Sequence, residues 1–170
     1  MRKLTIRAAN EQDTERLAAH LAACCRPGTI IALDGDLGAG KTRLTQAIAR
    51  ELGVQGIVNS PTFTIIKEYE GRDYPLYHMD VYRISEDEAA ELGLEEYFEG
   101  DGVTIVEWAS LIESLLPQER FEIYIEVTGI ESRNFHLAAC GEAYEDWLDG
   151  LEGEGSEKAW QNRAADDAEV

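Results

Sequence analysis

An α/β fold with a mostly parallel sheet and an inserted antiparallel hairpin is the architecture this 170-residue chain predicts, and three observations predict it. A short apolar run at residues 29–33 leads into a glycine-rich turn and then a segment with helical apolar spacing, the strand–loop–helix order of a parallel unit. A second apolar run, residues 103–106, is continuous rather than alternating, as in strands covered on both faces. Between them, residues 62–69 and 74–82 are rich in β-branched and aromatic side chains and flank Glu70-Gly71-Arg72-Asp73, which predicts a hairpin.

The elements follow in order. Residues 10–25 predict a helix, with Asn10 as N-cap, Asp13 three residues on, and Leu17, Ala18, Leu21 and Ala22 forming an inward stripe. It feeds the strand at 29–33, which Pro27 and Gly28 precede. After Lys41, apolar residues Leu44, Ala47, Ile48 and Leu52 recur at helical spacing, and Gly53 stands at the expected stop. Pro75 puts the second hairpin strand near a sheet edge. Ser85-Glu86-Asp87-Glu88 is a capping box opening a helix through Leu92, ended by Gly93, with a further turn over residues 94–98. The strand at 103–106 delivers Glu107 and Trp108. Pro117 closes a short helical piece, Phe121, Ile123, Ile125 and Val127 then alternate, and residues 134–140 predict another strand. No internal repeat is visible.

The length fits one domain with a real core, expected over residues 1–140. Residues 141–170 form an acidic C-terminal extension, expected to be helical around Tyr144, Trp147 and Leu148, then linker, then disordered tail. Fifteen basic against 34 acidic residues give a formal charge of −19, which opposes a direct grip on a nucleic-acid backbone. Cys24, Cys25 and Cys140 show no metal-ligand spacing and read as buried thiols of a reducing cytoplasm. No run of 18 apolar residues and no secretory apolar core is present, so the expected address is cytoplasmic.

Gly35 to Thr42, GDLGAGKT, matches the phosphate-binding pattern G-x-x-x-x-G-K-[ST] at every constrained position and predicts binding of a nucleoside triphosphate. Gly35, Gly38 and Gly40 let the backbone turn tightly, so that the main chain of Asp36, Leu37 and Ala39 converges with theirs on anionic oxygens at a helix start. Lys41 is expected on the β and γ phosphates and Thr42 on Mg²⁺. A hard cation bridging phosphates wants a carboxylate at the end of a buried strand, and Glu107 fits. Asp80 is the second acid, able to hold metal through water or to orient the attacking water; Arg83 can offset γ-phosphate charge. In Ser60-Pro61-Thr62-Phe63, Thr62 can sense the γ-phosphate, although a Ser-Pro turn accounts for the segment equally well. Trp108 reads as core packing, and His78 as structural.

GDLGAGKT at Gly35 to Thr42, SPTF at Ser60 to Phe63, YHMDVYR at Tyr77 to Arg83 and EW at Glu107 and Trp108 together resemble the TsaE family, bacterial ATPases of threonylcarbamoyladenosine formation on tRNA. The likeness covers residues 31–108 in order and continues through Arg133-Asn134 and Leu137. It implies a P-loop NTPase three-layer sandwich and the cofactors ATP and Mg²⁺. In it, Thr42 and Glu107 serve the metal, Lys41 and Asp80 support hydrolysis, Arg133 joins the nucleotide-binding set, and the Ser60 and Asp80 segments act as switches. It also implies partners, the TsaD and TsaB proteins, with tRNA held by them. Arg43 departs from the family, which usually has a small hydroxyl residue there. Two other functions share the loop: a small-molecule kinase, which normally shows an arginine-rich lid that is missing here, and a nucleotide-gated binding module. The guanine-reading N-K-x-D pattern of GTPases is absent.

Overall fold

Strand β1 (Arg2–Ala8) opens the chain, followed by helix α1 (Glu11–Cys24), β2 (Ile30–Gly35), α2 (Lys41–Glu51), β3 (Ile66–Glu70) and β4 (Pro75–Asp80). Helices α3 (Glu86–Glu91) and α4 (Glu95–Phe98), strand β5 (Val103–Glu107), a 3₁₀ segment (Ala109–Leu115), β6 (Arg120–Val127), β7 (Arg133–Cys140) and α5 (Glu142–Glu154) complete it. The structure is a computed structural model and describes residues 1–61 and 63–154. Thr62 and the expected linker and tail beyond residue 154 lie outside the described residues.

All seven strands join one sheet in the order β1-β7-β6-β2-β5-β4-β3. Strands β6, β2, β5 and β4 run parallel, while β1 and β7 on one side and β3 on the other are antiparallel to their neighbours. The sheet is therefore mixed, not mostly parallel: only half of its pairings are parallel. The physical reason is that β6 and β7 are joined by a short connection, which permits only an antiparallel return, and β1 then adds to the far side of β7. The inserted hairpin β3–β4 forms as the composition predicts. Pro75 is the first residue of β4, where a missing N–H costs least, and β4 itself lies one strand in from the edge.

Local chemistry sets the helix boundaries. Asn10 caps α1 by accepting from the Asp13 N–H at 3.0 Å. Ser85 and Glu88 close a reciprocal capping box on α3.

Two apolar clusters lie on the two faces of the sheet. The larger joins α1, α2 and α5 to Ile31, Leu33, Ile105, Phe121, Ile123 and Phe135; the smaller gathers Ile30, Ala32, Met79 and Val106 under Ala89, Leu94, Phe98 and Ile112. The main core continues past residue 141. Tyr144, Trp147, Leu148 and Leu151 of α5 are buried in it, with the Trp147 ring 4.8 Å from Phe121 and 5.1 Å from Tyr144. The Tyr144 hydroxyl accepts the Ile30 N–H at 2.9 Å. Cys24, Cys25 and Cys140 are free thiols, and among the described residues no helix is long and apolar enough to cross a membrane.

Candidate functional site

Where β2 hands over to α2, the backbone makes a concave turn. Gly35 cannot carry a side chain, because a Cβ there would meet the Ile125 carbonyl oxygen at 2.9 Å and the Ile125 Cβ at 3.2 Å. Gly40 sits at the N-cap of α2 with φ +108, a left-handed conformation that glycine adopts without strain. No side chain caps α2 and no acidic residue stands in its first turn, in contrast to α1 and α3, which carry both. The first amides of α2 thus point at open space with the positive end of the helix dipole behind them.

Lys41 opens the helix and folds back over the turn. Its side chain is buried, and its ammonium donates to the carbonyls of Gly35 at 2.7 Å and Asp36 at 2.9 Å. The same ammonium lies 4.0 Å from the centre of the Trp108 ring, a cation–π contact. Burial pushes this ammonium below the ordinary lysine value, and Glu107, Asp34, Asp80 and Asp36 pull the other way.

The acids reach the loop because strands alternate. On the face toward α2, β5 presents Val103, Ile105 and then Glu107, and β4 presents Leu76, His78 and then Asp80; the parallel register sets Asp80 beside Glu107. Each file is apolar or buried along its length and ends on a carboxylate at the carboxyl edge of the sheet. Glu107 is buried, and the Thr42 hydroxyl faces its two carboxylate oxygens at 3.0 and 3.2 Å. Asp80 accepts from the Ser60 hydroxyl at 2.9 Å and the Tyr82 N–H at 3.0 Å.

Leu37, Gly38, Gly40, Lys41, Thr42, Arg43, Ser60, Asp80, Glu107 and Trp108 line one open cavity of about 290 Å³. Of the residues singled out from sequence, Leu37, Gly38, Gly40, Lys41, Thr42, Asp80 and Glu107 therefore meet, while Gly35, Asp36 and Ala39 do not line this cavity. Arg133 does not enter this cavity: it lines a small neighbouring hollow with Glu11 and Arg43, and its Nε donates to the Ala39 carbonyl at 2.9 Å, bracing the loop from behind. Arg43 pairs with Glu11 across α1 and α2 at 2.6 Å, and Arg83 is exposed. Thr62 lies outside the described residues.

Two neighbours were not legible as site residues. His78 is fully buried, and its Nε2 contacts Glu107 Oε2; the signal was its position two residues before Asp80, which puts both on one face. Trp108 is not simply packed in the core. Its backbone is left-handed at φ 62, it stacks with Tyr82 at 4.6 Å, and Asp34 holds the following turn through the Ser110 hydroxyl at 2.8 Å. A bulky residue in that conformation stores strain, which surroundings must hold in place.

The donor set suits a magnesium ion bound together with phosphates. Thr42 and Glu107 offer only oxygens, and among the described residues no three His, Cys, Asp or Glu side chains form a cage able to bind metal unaided.

Known proteins resemble this chain over most of its length. A family model described as threonylcarbamoyl adenosine biosynthesis protein TsaE matches residues 8–135. The chain is 53% identical over 145 residues to the tRNA threonylcarbamoyladenosine biosynthesis protein TsaE of Bacillus subtilis (strain 168), spanning 85% of this chain and 91% of that protein. A protein of the same name from Treponema pallidum (strain Nichols) is 36% identical over 128 residues, 75% of this chain and 94% of its own. Among solved structures, a crystal structure of YdiB from Bacillus subtilis matches with a TM-score of 0.78 at 45% identity, covering 91% of this chain and 97% of that one. With a family model matched across both acids and the glycine loop, and relatives that share most of its length, the chain belongs to the TsaE family of tRNA threonylcarbamoyladenosine biosynthesis proteins.

Proposed function

We propose that this protein is a Mg²⁺-dependent ATPase subunit required for threonylcarbamoyladenosine modification of tRNA, a cytoplasmic P-loop NTPase that acts with the TsaD and TsaB proteins to allow turnover of the modifying assembly. The observation that carries the reading is the Thr42–Glu107 pair at 3.0 Å, set beside a glycine loop and an uncapped helix start. Family membership supports the pathway, and the charge of −19 supports a division of labour in which partners hold the tRNA.

In this reading the amides from Asp36 to Thr42 receive the polyphosphate, and Lys41 leaves the Gly35 and Asp36 carbonyls for the β and γ phosphates. Thr42 and Glu107 would hold the cation, which when bound would neutralise charge on the phosphate oxygens. Asp80, steadied by Ser60 and the Tyr82 amide, orients the water that attacks the γ-phosphorus in line. Ser60 and Asp80 belong to segments that respond to the nucleotide state, so association with partners follows that state.

Calorimetric titration of ATP with phosphate-release kinetics tests the site. Lys41→Ala is expected to abolish nucleotide binding, and Asp80→Ala to keep the fold while slowing hydrolysis by about 10²-fold or more. Unchanged turnover in Asp80→Ala rejects that role. Pull-down with TsaB and TsaD from the same cell, with and without ATP, tests the pathway; association that ignores nucleotide contradicts it.

A further inference from the structure

His78 is a buried side chain that takes no part in the proposed reaction. It sits on β4, fully buried between the sheet and α2, with the apolar Leu76 before it and Asp80 after it on the same face. Its register partner is Ile105, so it reaches Glu107 diagonally, one pair further along β5.

The chemistry of the contact assigns its direction. A carboxylate only accepts, so the His78 Nε2 carries the hydrogen and donates to Glu107 Oε2. Nδ1 is buried with no hydrogen-bond partner among the described residues. A buried imidazole with one nitrogen unsatisfied costs stability compared with an apolar side chain of similar size. Core packing alone would therefore favour Leu or Phe at this place.

Glu107 explains why a donor is needed. Its arm has one more rotatable bond than an aspartate would, and the Thr42 hydroxyl has a single proton to share between two oxygens at 3.0 and 3.2 Å. Thr42 alone leaves the carboxylate free to rotate about its last bond. With Oε2 tied to His78 from below, Oε1 is turned toward Thr42 and the loop.

We infer that His78 is a positioning residue: its Nε2–H fixes the Glu107 carboxylate in the rotamer that presents one oxygen, beside Thr42, to a divalent cation. The inference rests on the reading of Glu107 and Thr42 as the metal side of the site. Groups behind metal-binding carboxylates and imidazoles typically change metal affinity by about 10–100-fold when removed.

The test measures ATP affinity by calorimetry with Mg²⁺ and again in EDTA, and takes the ratio of the two. A purely packing role for His78 would alter both values alike and leave the ratio alone. His78→Phe keeps a ring of similar bulk without the donor and is expected to reduce the ratio by about 10–100-fold. His78→Gln places an N–H near the Nε2 position and is expected to restore it to within about 3-fold of the parent, whereas His78→Asn is too short and should resemble Phe. Thermal unfolding monitors the fold of each, and His78→Asn replaces His78→Phe if the latter does not fold. A ratio unchanged in the Phe and Asn variants overturns the inference. A parent protein whose ATP affinity ignores Mg²⁺ overturns the metal site itself, and the inference with it.

Discussion

Replacing Trp147 by alanine should cost this protein a large part of its stability, although the residue lies in the acidic C-terminal segment. Its side chain is 2% exposed and stacks on Phe121 and Tyr144 with centroids 4.8 and 5.1 Å away, in the same cluster as the α1 stripe. A tryptophan buries about 150–250 Å², worth about 4–6 kcal/mol at 25 cal/mol per Å². Measured Trp→Ala changes in cores run at about 3–5 kcal/mol, because neighbours collapse partly into the space. On a total of about 5–15 kcal/mol that is a substantial loss, and it corresponds to a fall in Tm of about 6–20 °C for a domain of this size. Urea unfolding followed by far-UV circular dichroism measures it, since fluorescence would change with the indole itself. The midpoint should drop with the slope unchanged. Ile130→Ala, at a site 98% exposed, is the control and should stay within about 0.5 kcal/mol. A loss below about 1 kcal/mol for Trp147→Ala would show that α5 unfolds apart from the sheet, and would refute a core that extends past residue 141.

Two other outcomes are expected. Gly35→Ala must push a methyl against the Ile125 backbone, which cannot yield as a flexible side chain would; a destabilisation of about 1–3 kcal/mol in the same urea assay is expected, together with weakened ATP binding. Burial pushes the Cys25 thiol up to about 12, so the folded protein keeps its proton through the range where an unfolded cysteine, near 9, gives it up. Folded stability from this group is therefore fully present below about pH 9 and declines between about 9 and 12, and iodoacetamide at pH 9 should modify Cys25 far more slowly in native than in urea-unfolded protein, as read by peptide mass analysis.

Features set by neighbouring residues were legible in the sequence: the loop at Gly35 to Thr42, the Asn10 cap, the capping box at Ser85 and the emergence of Glu107 from a buried strand all depend on spacing within a few residues. The place of β1 was not. The short connection between β6 and β7 already implies an antiparallel return, but nothing local to Arg2–Ala8 says that it will pair with the far side of β7, because that is a contact between distant parts of the chain. The role of α5 was obscured by its charge: Glu142, Glu145, Asp146 and Asp149 mask a narrow apolar stripe of Tyr144, Trp147, Leu148 and Leu151. At the site, the meeting of Asp80 with Glu107 could be anticipated from two strands ending at one sheet edge. The His78 contact needs the register of β4 on β5, and the left-handed turn at Trp108 has no glycine to announce it.

On the proposed function, the uncapped start of α2 would couple occupancy to folding. Where α1 and α3 have side chains that cap their first amides, α2 has none, so an anion bound there, as proposed above, would hold its first turn more firmly. A ligand that recognises only the native loop would raise the unfolding free energy by about 2.7 kcal/mol at a hundred times its dissociation constant. Cellular lifetime and resistance to proteolysis would then track ligand supply, and a simple melting curve would register it before any assay of turnover.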